Sequence, residues 1–190
     1  YLESPVDADI VIGVPDSSIS AAIGYSEASH IPYEMGLIKN KYVGRTFIQP
    51  TQELRNQGVR MKLSAVASIV NQKSVIMIDD SIVRGTTSKR IVTLLKEAGA
   101  TEVHVRIASP AIKYPCFYGV DTSTLDELIS HKMTTQELCT YIGADSLAFI
   151  SEEGLQKSIH FKKEHTCDLC MACFNRKYVT PLYDNDFQDD

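Results

Sequence analysis

The stretch Val75–Ser88, VIMIDDSIVRGTTS, constrains this chain more than any other. Its apolar run Val75–Ile78 has no polar break, which predicts a strand buried on both faces. Asp79 and Asp80 then fall at the carboxyl end of that strand, where open α/β sheets place their ligands. Gly85, Thr86, Thr87 and Ser88 follow and open a helix. On it Ile91, Leu94, Leu95 and Ala98 recur at i, i+3, i+4 and i+7, one apolar face, and Gly99 suits the position just past its end.

The turn has the chemistry of an anion site. The first N–H groups of a helix lack internal partners, and the helix dipole adds partial positive charge there. Gly85 permits close approach of the backbone, and Thr86, Thr87 and Ser88 add hydroxyl donors, a set that suits a phosphate. Asp79 and Asp80 repel a phosphate, but they can accept hydrogen bonds from vicinal hydroxyls or hold Mg²⁺. Hydroxyls beside a phosphate describe a ribose 5-phosphate. A G-T-T-S turn alone is usually a plain helix cap, and a lone Asp-Asp pair a solvated loop. The ordered combination is more specific, and it is not the P-loop pattern G-x-x-x-x-G-K-[ST].

Val75–Ser88 resembles the phosphoribosyl pyrophosphate (PRPP) signature of type I phosphoribosyltransferases. The resemblance implies their α/β fold, a mostly parallel sheet flanked by helices, with a helical or irregular C-terminal segment. It also implies that Asp79 and Asp80 meet the ribose hydroxyls and Mg²⁺. Arg84, Gly85, Thr86, Thr87 and Ser88 would form the 5-phosphate cradle, with Ser81 among the PRPP contacts.

Ile10–Val14 reads as a second strand, broken at Gly13-Val-Pro-Asp-Ser-Ser18. Ser17 or Ser18 can cap the following helix, with Ile19, Ala22 and Ile23 on its inner face. In a parallel sheet this loop faces the same crevice as Asp79. Taken alone it is an ordinary strand-to-helix turn. By the resemblance, Pro15, Asp16, Ser17 and Ser18 bind pyrophosphate, and Ser17 reaches the metal.

Pro32–Leu37 predicts another short strand. From Lys39 to Lys62 the chain carries Lys39, Lys41, Arg45, Arg55, Arg60 and Lys62 against one acid, Glu53. Positive charge concentrated in an acidic chain points to an anionic ligand, and poor periodicity over this length reads as a loop that closes like a lid. Its run K-N-K-Y-V-G-R-T-F-I-Q-P, followed by V-R-M-K-L, resembles the flexible catalytic loop of glutamine PRPP amidotransferases. Other type I members do not share it. The resemblance implies that Lys39 contacts PRPP, that Arg45 and Lys62 meet the pyrophosphate or transition state, and that Tyr42 and Ile48 line an ammonia path.

Val103–Ile107 alternates and continues the parallel sheet. The two prolines of S-P-A-I-K-Y-P-C-F-Y-G-V-D-T mark irregular chain, in which Tyr118–Thr122 resembles the hood segment of the amidotransferases near the nucleotide site. Leu125–Ile129 and Thr135–Ile142 read as helices, the second capped by Thr135. Ser146–Ile150 reads as a strand and Ser151–Ile159 as a helix.

Five cysteines, Cys116, Cys139, Cys167, Cys170 and Cys173, include a C-x-x-C-x-x-C cluster. That spacing serves zinc or an iron–sulfur cluster, and spacing alone does not separate them. Unligated thiols are the bland reading; Cys139 reads as core. One subclass of glutamine PRPP amidotransferases carries a [4Fe–4S] cluster. The resemblance then assigns Cys116, Cys167 and Cys170 as ligands, leaves Cys173 as an extra thiol, and draws the fourth ligand from upstream of Tyr1. The cluster is therefore expected to be absent or incomplete here.

With 190 residues, 44% apolar and 23% charged, the chain suits one soluble domain of moderate size. A net charge of −5 argues against a nucleic-acid surface, and no apolar run approaches the roughly 20 residues that span a bilayer. The expected organisation is a phosphoribosyltransferase domain over 1–178, with the catalytic loop at 37–62, a cysteine-containing segment at 160–178, an acidic tail at 179–190, and no N-terminal glutaminase domain. By the resemblance the activity is amination of C1 of PRPP with loss of pyrophosphate, the first step of purine biosynthesis, from glutamine in the complete enzyme and from free ammonia here. Purine nucleotide inhibitors, a homotetramer and a cytoplasmic location are implied with it. A PRPP-binding regulator on the same fold is the alternative. A transferase for a free base and a zinc-stabilised interaction module each leave part of the pattern unexplained.

Overall fold

The computed structural model describes residues 1–40, 63–120, 122, 124–159 and 169–181. Its strands are β1 (Ile10–Gly13), β2 (Leu37–Lys39), β3 (Leu63–Ala65), β4 (Ser74–Asp79), β5 (Glu102–Ile107) and β6 (Ser146–Phe149). Its helices are α1 (Ile19–Ser29), α2 (Ala67–Val70), α3 (Thr86–Glu97), α4 (Ile129–Lys132), α5 (Thr135–Ile142), α6 (Glu152–Ser158) and α7 (Ala172–Asn175).

β4 is central. It pairs in parallel with β1 on one side (Ile10↔Val75 to Gly13↔Ile78) and with β5 on the other (Ser74↔Glu102 to Asp79↔Ile107). β6 joins β5, also in parallel, giving the order β1-β4-β5-β6 among the described residues. β2 and β3 form a separate antiparallel pair. A strand with neighbours on both edges and helices on both faces has no solvated side, and Val75 to Ile78 are at most 3% exposed.

Strand side chains alternate between the two faces. Val75 and Met77 join Ile10, Ile12, Val103 and Val105 in a large core under α3 and α5, filled by Ile91, Leu95, Leu138 and Ile142. Ile76 and Ile78 join Val11 in a smaller core under α1, filled by Ala22 and Tyr25. Each fully buried side chain of this kind contributes about 1.5–3 kcal/mol. Further along the second face, β5 carries His104 and Arg106, both buried. Arg106 is satisfied there: Nε donates to the Ser4 carbonyl at 3.0 Å, and Nη1 to the Val105 carbonyl at 2.9 Å and Ser146 Oγ at 3.0 Å.

Several local expectations shift. Ile23 is 41% exposed, and Tyr25, three residues after Ala22, takes the inner position instead. Neither serine caps α1 through its side chain, although Ser18 stands at the N-cap. Thr134, not Thr135, caps α5, in a capping box with Glu137. Around Pro32–Leu37 the chain makes only an isolated bridge, Val11↔Tyr33, and the regular strand begins at Leu37. The region Leu125–Ile129 divides into a 3₁₀ turn, Leu125–Glu127, and the start of α4.

Candidate functional site

Because β1 and β4 are parallel and in register, their carboxyl ends open onto one edge. Val14 N–H donates to the Ile78 carbonyl at 2.9 Å, so the two loops leave the sheet together. One loop is Pro15–Ser18; the other is Asp79–Gly85.

The two aspartates have opposite surroundings. Asp79 is 6% exposed, whereas Asp80 is exposed. Asp79 Oδ1 accepts two hydrogen bonds, from Ser18 Oγ at 3.1 Å and from the Asp80 N–H at 3.0 Å. Burial pushes the Asp79 carboxyl up to about 6; the Asp80 charge adds to this, while the hydrogen bonds from Asp80 N–H and Ser18 pull it back. Asp80 faces outward and accepts from Ser81 Oγ at 3.2 Å.

Gly85 begins α3 in the left-handed region, with φ at +72°, and no side chain caps the helix. A Cβ at that position would stand 3.2 Å from Ile129 Cδ1 and 3.3 Å from the Tyr141 ring, so glycine fits both the turn and the space. Thr86 and Thr87 are exposed beside these uncapped N–H groups, while Ser88 turns inward and is buried. Exposed carboxylate, uncapped helix start and hydroxyls thus lie along one edge, which can take a polyhydroxylated phosphate.

Other expected contacts are already engaged. Arg84 pairs with Glu127 at 2.7 Å, and Lys39 Nζ with Asp16 Oδ2 at 2.7 Å. Ser17 is exposed, Pro15 half-buried, and Ser18 fully buried with its hydroxyl on Asp79. Arg45 and Lys62, with Tyr42 and Ile48, lie outside the described residues, as does Cys167.

The remaining thiols form a second grouping. The Cys173 carbonyl accepts from Lys113 N–H at 2.9 Å and Tyr114 N–H at 3.0 Å, which holds α7 against the chain before Cys116. Burial raises the pKa of the Cys173 thiol, and the nearby Cys116 and Cys170 thiols raise it further. Cys173, which the resemblance leaves as an extra thiol, thus stands in α7, which is hydrogen-bonded to the segment that leads to Cys116. Spacing gave all three cysteines of the cluster equal standing; the hydrogen bonds that bring α7 to the chain before Cys116 are long-range and leave no local pattern. Among the described residues, no group of three or more His, Cys, Asp or Glu is placed to hold a metal ion. Cys139 is buried apart, its thiol donating to the Ala144 carbonyl at 3.3 Å.

The chain is 65% identical over 182 residues to the amidophosphoribosyltransferase of Bacillus subtilis, a match covering 95% of this chain. The chain belongs to the amidophosphoribosyltransferase family. It spans 38% of that relative's length. Amidophosphoribosyltransferases of Staphylococcus aureus strain Mu50 (60% identical, 96% of this chain and 37% of the relative) and Synechocystis (57%, 96% and 36%) match similarly. Among solved structures, the B. subtilis glutamine PRPP amidotransferase complexed with ADP and GMP superposes with a TM-score of 0.88 at 64% identity. That match covers 97% of this chain and 41% of the other. A structure of the allosteric regulatory enzyme of purine biosynthesis gives 0.86 at 62%, covering 97% and 40%. No family model matches the chain. Among the described residues, no helix is long and apolar enough to cross a membrane.

Proposed function

We propose that this chain carries the phosphoribosyl site of an amidophosphoribosyltransferase, replacing the pyrophosphate at C1 of PRPP by an amino group to give 5-phosphoribosylamine. The observation that carries the reading is the edge where outward-facing Asp80 meets the uncapped start of α3 at Gly85, beside the Pro15–Ser18 loop. The identity to amidophosphoribosyltransferases along nearly the whole chain supports it.

In this reading Asp79 and Asp80 hold the ribose hydroxyls, with Ser81 beside them. Arg84 to Ser88 hold the 5-phosphate, and Pro15 to Ser17 with Lys39 hold the pyrophosphate, while buried Ser18 lies behind them with its hydroxyl on Asp79. The new C1–N bond forms as the C1–O bond breaks; pyrophosphate leaves with the electron pair, and the added amine loses a proton to solvent. Positive charge develops on the ribose ring, so stabilising the departing anion accelerates the step. Arg45 and Lys62 are assigned that role, and Tyr42 and Ile48 the path of ammonia. The exposed oxygens of Asp80 and Ser17 are hard donors that suit Mg²⁺, which would neutralise pyrophosphate charge there.

The organisation goes with it: a phosphoribosyltransferase domain over 1–178, its closing loop at 37–62, a cysteine-containing segment at 160–178 and an acidic tail at 179–190. Glutamine as nitrogen source, a tetramer, a cytoplasmic location and purine nucleotides competing for the crevice belong to the same proposal. A [4Fe–4S] cluster on Cys116, Cys167 and Cys170 belongs to it too, supported by the hydrogen bonds that hold α7 beside the segment leading to Cys116. The described residues do not by themselves make such a site, and no step runs through it. Iron and sulfide analysis of the purified protein tests it.

The deciding assay is pyrophosphate release from PRPP and Mg²⁺ with ammonium at alkaline pH. Release matched by 5-phosphoribosylamine is expected. PRPP binding without turnover in the intact natural protein would favour a PRPP-sensing regulator instead.

A further inference from the structure

We infer that Ser18 is a positioning residue, whose hydroxyl fixes the rotation of the Asp79 carboxylate and so ties the Pro15–Ser18 loop to the ribose end of the site. This rests on the phosphoribosyl reading and adds a residue role to it.

Ser18 is 0% exposed, so its side chain does not reach a ligand in the crevice. Its Oγ donates at 3.1 Å to Asp79 Oδ1, across a sequence separation of 61 residues. The Asp80 N–H donates to the same oxygen at 3.0 Å. Two donors on one oxygen restrict the rotation of the carboxylate. A donor to an ionised, buried acceptor is worth more than one at the surface, because a lost partner leaves charge unsolvated.

The backbone of Ser18 is fixed just as firmly. Its N–H donates to the Val14 carbonyl at 3.1 Å, and its carbonyl accepts from Ala22 N–H at 3.0 Å, the first turn of α1. A hydroxyl this well anchored transmits position: displacement of the loop by a pyrophosphate is felt at Asp79, and the reverse. The expected consequence is coupling between the two halves of one ligand, the leaving group on the loop and the ribose hydroxyls beside β4.

A double-mutant cycle in the intact natural protein tests this, with PRPP and Mg²⁺ as the probe. Ser18→Ala is expected to raise KM for PRPP about tenfold with a smaller change in kcat, while circular dichroism reports a folded chain. In an Asp79→Ala background, Ser18→Ala is expected to add less than twofold. Ser18→Thr, which retains a hydroxyl, should recover much of the lost affinity. A folded Ser18→Ala protein with KM within twofold of wild type would overturn the inference. So would a Ser18→Ala effect of equal size with and without Asp79, since the serine would then act by another route. Failure of the wild-type protein to bind PRPP at all is a separate outcome, and it would remove the phosphoribosyl reading together with this one.

Discussion

The proposed PRPP edge and the cysteine grouping are built by different means. At the proposed PRPP edge, Asp79 and Asp80 hang from the end of a strand whose register is set by its neighbours. Gly13 pairs with Ile78 and Asp79 with Ile107, so Asp79 has no freedom to move along the sheet. The cysteine grouping has no sheet beneath it. Cys116 lies in irregular chain and Cys173 in the four-residue α7, joined through the Cys173 carbonyl and an aromatic contact, Tyr178 against Phe117 at 5.3 Å. The first arrangement fixes where groups sit by burying apolar strands. The second fixes them by a few hydrogen bonds between segments distant in sequence. Function at the first should therefore respond to individual polar atoms, and integrity of the second to the contacts that clasp it.

The sharpest break between the regions is Asp80→Ala. Asp80 is exposed and supports no core residue, so its loss should leave the melting temperature nearly unchanged. Two hydrogen bonds to a charged acceptor, at about 1.5–3 kcal/mol each, put the loss of PRPP affinity at roughly a hundredfold or more. Titration calorimetry with PRPP and Mg²⁺ measures it. An unchanged affinity would detach the ribose from this edge.

Asp79 should behave in the opposite sense, costing stability while serving the ligand. Its folded-state pKa, about 6, lies above the ordinary 3.8. Between those values the folded chain binds the extra proton more readily than the unfolded chain. The stability this group contributes is therefore full below about pH 4 and lost as pH rises through 6. A shift of that size corresponds to at most about 3 kcal/mol. Asp79→Asn is expected to raise the melting temperature above that of wild type at pH 8, to lose that advantage near pH 4, and to weaken PRPP binding. Parallel melting temperatures of the two proteins across that range would show that Asp79 is not desolvated as described.

How much of this was legible in the sequence follows the same division. The strand Val75–Ile78, the Asp pair at its end and the glycine opening α3 are all local signals, and each fell where the pattern put it. Ile23 and Thr135 were misplaced by small steps, because a short helix offers two nearly equivalent faces and two adjacent threonines. The inward turn of Ser18 was illegible. Its partner is 61 residues away, and nothing in P-D-S-S distinguishes a serine that caps from one that holds a carboxylate. The approach of α7 to the chain before Cys116 was illegible for the same reason, since C-x-x-C-x-x-C does not say what that segment packs against.

On the cysteine side, Tyr178 is the clasp. Its hydroxyl donates to the Pro115 carbonyl at 2.8 Å and its ring meets both Phe117 and Tyr118. Tyr178→Ala should loosen the Cys116 segment at a cost of about 1–2 kcal/mol, seen as faster amide exchange over 114–120, and leave KM for PRPP within twofold. A large rise in KM would show that the two regions are coupled after all.

The smallest effect separates two thiols three residues apart. Alkylating reagents attack the thiolate, so reactivity follows exposure and the ease of ionisation. Cys170 is exposed, whereas Cys173 is half-buried and its pKa is raised first by burial and then by the charges of Cys116 and Cys170. In metal-free protein at pH 8, iodoacetamide should modify Cys170 several-fold faster than Cys173, with fragment-ion mapping to tell them apart. A permanent negative charge at position 170 opposes ionisation of a nearby thiol, so Cys173 should label more slowly in a Cys170→Asp protein than in protein already carbamidomethylated at Cys170. Equal rates at the two cysteines in wild type would mean that α7 does not shield Cys173. Equal rates at Cys173 in the alkylated and Cys170→Asp proteins would mean that the thiols lie too far apart to feel one another's charge.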